Sequence, residues 1–300
     1  EPPRHTRLRG LVLRAFTSRR INALAPEIAS LSHELVGAMP EGPHDLLDSF
    51  ARPLPVTIIA RLLGVPESEG PNLLKWSNAM VAMYQARRSP EIEAAAVAAT
   101  EDFVAFLKDY ITARRRKPAD DLITHLIAAE EHGEKLSSDE LISTCILLLN
   151  AGHEATVHTI GNGTALLLQH GVIPAPENAE GVVEEILRHD PPLHIFSRIA
   201  LEEVEVYGHR FAKGDRVQLL LGAATRDPAV WPDPHRFDPT RPIRTHSAFG
   251  GGLHFCIGAP LARLELQIAL PILFAAKPNL RLAEPVEFLD AYHFHGLTKL

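Results

Sequence analysis

The sequence predicts a mainly α-helical fold with one small β region. Apolar residues recur at helical spacing through the first two-thirds of the 300 residues. A capping box opens one helix long enough to run through a domain core. Beyond residue 190 the pattern changes to short strand-like runs, turn dipeptides and a Pro-rich stretch. No repeat, low-complexity segment or linker divides residues 1–300, so a single domain is expected.

Arg4 to Phe16 places Leu8, Leu11, Val12 and Ala15 on one helical face, with arginines opposite. Asp45 to Leu63, Pro71 to Gln85 and Asp120 to Glu131 also read as helices. So does Pro90 to Arg116, which ends in the basic run that helix C-termini favour. Ser137-Ser138-Asp139-Glu140 caps the long helix, which runs to Gln169. Pro174 and Pro176 precede a helix from Asn178 to His189, which Asp190-Pro191-Pro192 stops. Val204 to Ala212 reads as a hairpin turning at Gly208-His209, and Val217 to Leu221 as a strand. Residues 226–246 read as an irregular meander. A glycine-rich loop from 249 to 258 then leads into a last helix with Pro260 at its first position.

A net charge of −7 lacks the basic footprint of nucleic-acid binding. Two cysteines, Cys145 and Cys256, argue against a disulfide framework and fit a reducing compartment. No stretch matches the roughly 18 uncharged apolar residues of a membrane helix. The longest candidate, 141–168, is interrupted by Asn150, His153 and Glu154, so no membrane segment is expected.

The loop Phe249-Gly250-Gly251-Gly252-Leu253-His254-Phe255-Cys256-Ile257-Gly258 carries the chemistry. A cysteine just before a helix start meets free N–H groups and the positive end of the helix dipole. The glycines let backbone N–H groups approach its sulfur, and Phe249 is placed to shield it. Such a site suits a thiolate held as an axial metal ligand. A dinucleotide-binding turn fails because Phe255 takes the third-glycine position. A phosphate-binding loop lacks Gly-Lys-Ser/Thr, and a zinc site built from His254 and Cys256 lacks further cysteines.

These ten residues resemble the haem-binding signature of the cytochrome P-450 family, Phe-x-x-Gly-x-x-x-Cys-x-Gly, at every defined position. Further segments are similar to the family in the same order. Glu185-Ile-Leu-Arg188 resembles its Glu-x-x-Arg motif, and Arg236-Phe237 its meander arginine, which joins that pair in a buried network. The resemblance implies haem b lying between the long helix and the loop, with Cys256 on the iron and Phe249, Gly250 and Gly258 around it. It also implies His5, Arg9, Arg198 and His254 on the haem propionates, since buried carboxylates need charged partners.

The long helix departs from the family pattern Ala-Gly-x-Glu/Asp-Thr, reading Ala151-Gly152-His153-Glu154-Ala155-Thr156. The resemblance implies that Ala151 and Gly152 make room for dioxygen and that Glu154 helps relay protons. The usual threonine is Ala155, however, and Thr156 lies about 100° further round the helix. Thr156 is either a displaced catalytic hydroxyl or one bonded back to its own helix. A substrate hydroxyl or water in the gap, a non-hydroxylating oxidation and poor coupling all remain open. Gly171, Pro174 and Pro176 stand where the family has a helix, and the N-terminal portion that family members normally have is missing here.

The activity implied is that of a cytoplasmic monooxygenase inserting one atom of O2 into a small apolar organic substrate. Electrons would come from a separate ferredoxin or flavodoxin docking at Arg4, Arg7, Arg14, Arg19 and Arg20. Leu147, Leu193, Ile195, Phe196 and Phe294 are expected to line the pocket. A haem protein without turnover, a relic or a sensor, is the alternative.

Overall fold

The computed structural model describes residues 1–85, 87–131, 136–291 and 293–300. Three helices open the chain: α1 (Arg4–Ala15), α2 (Ser18–Ala23) and α3 (Ala25–Ala38). The last two extend the reading of the sequence. The Thr17 hydroxyl accepts the Arg20 N–H at the start of α2, and Ile28, Leu31 and Val36 carry α3 into the core. The predicted helix over 45–63 divides instead of running through. Residues Leu47–Ala51 form a π-turn, and α4 (Pro53–Leu63) starts afresh, because Pro53 and Pro55 have no N–H for a preceding turn. Then come α5 (Gly70–Val81), α6 (Pro90–Arg116) and α7 (Leu122–Glu131).

The central helix α8 (Ser138–His170) is 33 residues long. Its capping box forms: the Ser137 hydroxyl accepts the Glu140 N–H, and the Glu140 carboxylate accepts the Ser137 N–H at 3.0 Å. The same carboxylate accepts Arg7 from α1 at 2.5 Å, so the cap also docks the first helix. From Thr156 to Leu167 every residue is buried. One to three turns earlier the helix has exposed positions, with Leu147 64% exposed and Ala151 exposed.

Helix α9 (Ala179–His189) packs on α8 and on the last helix, α11 (Ala259–Ala276). By length and composition alone, α11 is long and apolar enough to cross a membrane. That qualifies the expectation that no such segment exists. Yet half of α11 is buried inside the fold, against α3 and α9, and it carries Arg263 and Glu265.

Two antiparallel ribbons complete the architecture. β1 (Ile195–Ile199) pairs with β4 (Arg216–Leu220), Ile195 opposite Leu220, and β2 (Val204–Val206) pairs with β3 (His209–Phe211). The hairpin turns at Tyr207-Gly208, one residue earlier than predicted, where both φ angles are positive, at 52° and 77°. β4 leads directly into the single-turn helix α10 (Leu221–Ala224).

Candidate active site

Short 3-10 turns at Ser247–Phe249 and Gly252–His254 shape the cysteine loop. Gly250 and Gly252 adopt φ of 70° and 65°, where a side chain would be strained. The Cys256 N–H closes the loop onto the Phe249 carbonyl at 2.9 Å. The Cys256 sulfur lies against the N–H groups of Gly258 and Ala259, at the start of α11. Burial pushes its thiol above the ordinary range; those N–H groups and the charges of Arg9 and Arg263 offset only part of the rise. The polypeptide alone therefore keeps Cys256 protonated at neutral pH. Metal coordination, which deprotonates a thiol outright, would make it the anionic ligand.

Helix α1 brings two more groups to the loop. The Arg9 guanidinium donates to the Phe255 carbonyl at 2.6 Å, and the His5 ring sits 4.3 Å from that of His254. His5 Nδ1 is buried with no hydrogen-bond partner. An orphaned ring nitrogen beside a cationic side chain and a buried sulfur fits a prosthetic group that brings its own carboxylates and a metal. Arg198 stands apart, exposed on β1, its guanidinium donating to the Ser197 carbonyl. No bond joins it to His5, Arg9 or His254 among the described residues.

Behind the loop lies a layer that was not singled out in the sequence. Arg263 makes two bonds to Glu184 and lies 4.5 Å over the Phe249 ring, while His246 approaches Glu184 at 3.1 Å. Burial opposes the charge on Glu184, but the bonds from His246 and Arg263 prevail and hold its carboxyl down at about 2.

Next to it, Arg188 grips both oxygens of Glu185 at 2.7 Å. Both residues are buried, and Arg188 also donates to the carbonyls of Thr225, Pro234 and Arg236. The expectation for the meander arginine needs correction. The Arg236 side chain is 69% exposed and, among the described residues, pairs with Asp238 at 3.8 Å; its backbone carbonyl is what enters the network. Arg241 supplies the side chain instead, 3.4 Å from Glu185 and bonded to the Pro232, Asp233 and Arg236 carbonyls.

On α8, Glu154 lies between two imidazoles. His158 Nε2 is 3.2 Å from one oxygen and His153 Nδ1 is 3.6 Å from the other. Burial favours the neutral acid, but His158, His153 and Arg52 outweigh it and bring Glu154 below its ordinary value. His153 is itself pushed down to about 4, mainly by burial, so it is neutral at pH 7. Gly296 makes room for the His158 ring, since a Cβ there would lie 1.9 Å from Nδ1. The Thr156 hydroxyl donates to the Gly152 carbonyl at 3.1 Å, as the back-bonded reading of that residue expects.

A cleft of about 730 Å³ opens beside Asn150, lined by Met80, Met83, Tyr84, Arg88, Arg216 and others. Leu193 and Phe294 form an isolated bridge, and Phe294 meets the Tyr84 ring edge-on at 5.8 Å. Tyr84 thus joins the expected wall without any signal of its own in the sequence. Ile195 and Phe196 are adjacent in β1, so they face opposite sides and cannot line one wall together. Of the five arginines of the expected docking patch, Arg4 and Arg7 lie beside Glu140 and Arg20 beside Asp120.

The family model for cytochrome P-450 matches residues 1–173 and 179–276. The chain belongs to the cytochrome P-450 family. It is accordingly a haem-iron oxidoreductase, and the break in the match falls on the proline-rich segment between α8 and α9. The chain is 42% identical to 6-deoxyerythronolide B hydroxylase of Saccharopolyspora erythraea, covering 94% of this chain and 70% of that protein. It is equally 42% identical to the monooxygenase PikC of Streptomyces venezuelae, over 94% of this chain and 68% of that one. Among solved structures, the bacillaene polyketide synthase cytochrome P-450 PksS of Bacillus subtilis superposes with a TM-score of 0.92 at 37% identity, covering all of this chain and 78% of that one.

Proposed function

We propose that residues 1–300 form a single haem-thiolate domain of a cytoplasmic monooxygenase that hydroxylates a macrolide or related polyketide. The Cys256 cradle carries this reading: a sulfur beside backbone N–H groups, Arg9 and the orphaned His5. The substrate class rests on the names of the relatives and on the roomy cleft beside α8.

Cys256 would hold the iron of haem b, with Phe249, Gly250 and Gly258 closing the loop beneath it. His5, Arg9, Arg198 and His254 would hold the propionates. The bound group supplies the oxygen chemistry. The polypeptide excludes water with Phe249, leaves space along Ala151 and Gly152, and keeps a proton-exchanging carboxylate at Glu154. Because Ala155 offers no hydroxyl, one carried by the substrate or a water completes the path to Glu154. A ferredoxin or flavodoxin delivers electrons on the cysteine side.

Substrate-dependent O2 consumption tests the proposal. With a ferredoxin system and a panel of macrolactones, the loaded enzyme should consume O2 and form a hydroxylated product in step. Binding without consumption would favour a haem protein without turnover.

A further inference from the structure

The chain carries a second cluster of donor atoms, away from the cysteine loop. Asp190 ends α9, His194 immediately precedes β1, and His295 lies near the C-terminus. One ligand-capable atom from each lies within 4.8 Å of the other two, and all three residues are half-buried. We propose that Asp190, His194 and His295 form a binding site for a divalent transition metal of the zinc class.

Three features support it. The first is distance. His295 Nε2 and Asp190 Oδ1 are 3.2 Å apart. Two ligands bound tetrahedrally at 2.0–2.1 Å are separated by about 3.3 Å, so this edge already has the span a metal needs. The ring of His194 must turn to close the remaining edges.

The second is a fixed backbone. The His194 N–H donates to the His293 carbonyl, and its own carbonyl accepts the Leu221 N–H at 2.8 Å. The His295 N–H donates to Pro192, and its carbonyl accepts Asn162 of α8 at 2.9 Å. The His295 ring is sandwiched between those of His194 and Phe288, each 4.2 Å away. Binding a metal would turn the His194 ring out of this stack, on a backbone that these hydrogen bonds hold in place.

The third is chemistry. Two imidazoles and one carboxylate suit zinc, nickel or cobalt; magnesium and calcium prefer all-oxygen sets. Three protein ligands leave a fourth position for water.

Such a metal would tie the C-terminal segment carrying Phe294 to the junction of α9 and β1. Its effect on substrate binding rests on the pocket proposed above, but metal uptake does not, so the two readings can fail separately.

The test uses the haem-loaded full chain, stripped with chelator and titrated with Zn2+ by calorimetry. One equivalent should bind, raising the melting temperature by about 5 °C at a hundredfold excess over Kd. His194→Ala should weaken binding at least tenfold. Asp190→Asn, which keeps the shape of the side chain, should do the same. His209→Ala, at an exposed site on β3, should not. Absence of saturable binding, or equal binding by His194→Ala and the wild type, would show that the cluster is only a hydrogen-bonded imidazole–carboxylate group and overturn the proposal.

Discussion

The buried carboxylates of α9 and those of α8 and α11 live under different rules. On α9, Glu184 and Glu185 each have a guanidinium within bonding distance, from Arg263 and Arg188. On α8, the groups nearest Glu154 among the described residues are imidazoles, and the nitrogens of His153 and His158 lack aligned hydrogen bonds. On α11, Glu265 has no charged partner among the described residues, one of its oxygens is orphaned, and burial alone raises its pKa to about 8. A carboxylate that is fully partnered fixes structure. One that lies between imidazoles, with no guanidinium bonded to it, is left able to take up and release a proton. The difference separates the scaffold behind the cysteine loop from the working stretch of α8.

Breaking the α9 network should have the largest effect. Glu185→Ala leaves Arg188 buried without its counter-ion, at a cost of about 3–5 kcal/mol. Little folded, haem-loaded protein should be recovered. Arg241→Ala should also reduce recovery, and Arg236→Ala should hardly matter, since its side chain is mostly in water. Equal losses from the two arginine variants would contradict the assignment of Arg241.

Glu265 sharpens the comparison through pH. Its folded pKa lies above its unfolded value, so the folded state retains a proton that the unfolded chain releases above about 4.5. The associated stability is complete below that pH and is lost as pH rises toward 8. Between pH 4.5 and 7 the loss is about 3 kcal/mol. Glu265→Gln should therefore gain on the wild type as pH rises, and parallel denaturation curves at pH 5 and 8 would contradict it. Glu184 works in the opposite sense: its pKa is depressed, so its contribution is present above about 4.5 and lost as pH falls toward 2.

The smallest change concerns coupling. With substrates whose hydroxyl lies near Ala155, little peroxide should be released; deoxy analogues should bind yet divert electrons to peroxide. Ala155→Thr should restore coupling for the analogues, and Glu154→Gln should slow turnover about 100-fold in either background. Identical coupling for both substrate types, unmoved by Ala155→Thr, would mean that protons arrive by another route.

How much was legible follows from how local each signal is. The cysteine loop, the capping box and the Glu185–Arg188 spacing lie within a few residues, so chain order alone exposes them. Residues 17–38 carry a helical signal in Ile21, Leu24, Ile28 and Leu31, interrupted by Pro26, which proves to lie in the first turn of α3. The choice between Arg236 and Arg241 depends on the path of an irregular meander and has no periodicity to reveal it. β1 is fixed by a partner about 20 residues away, and Tyr84 reaches the cleft only because α5 and the C-terminal segment meet in space. The metal cluster joins three segments of which two are about 100 residues apart, beyond any local pattern.

The central claim is that Cys256, and not Cys145, holds the haem iron. Cys145 is fully buried on α8 and its thiol is pushed up to about 12, so it is inert core. The direct test is the absorption spectrum of the reduced protein with carbon monoxide, in wild type, Cys256→Ser and Cys145→Ser. The wild type and Cys145→Ser should show the red-shifted thiolate band that gives the family its name, and Cys256→Ser should lack it. Persistence of that band in Cys256→Ser would contradict the account.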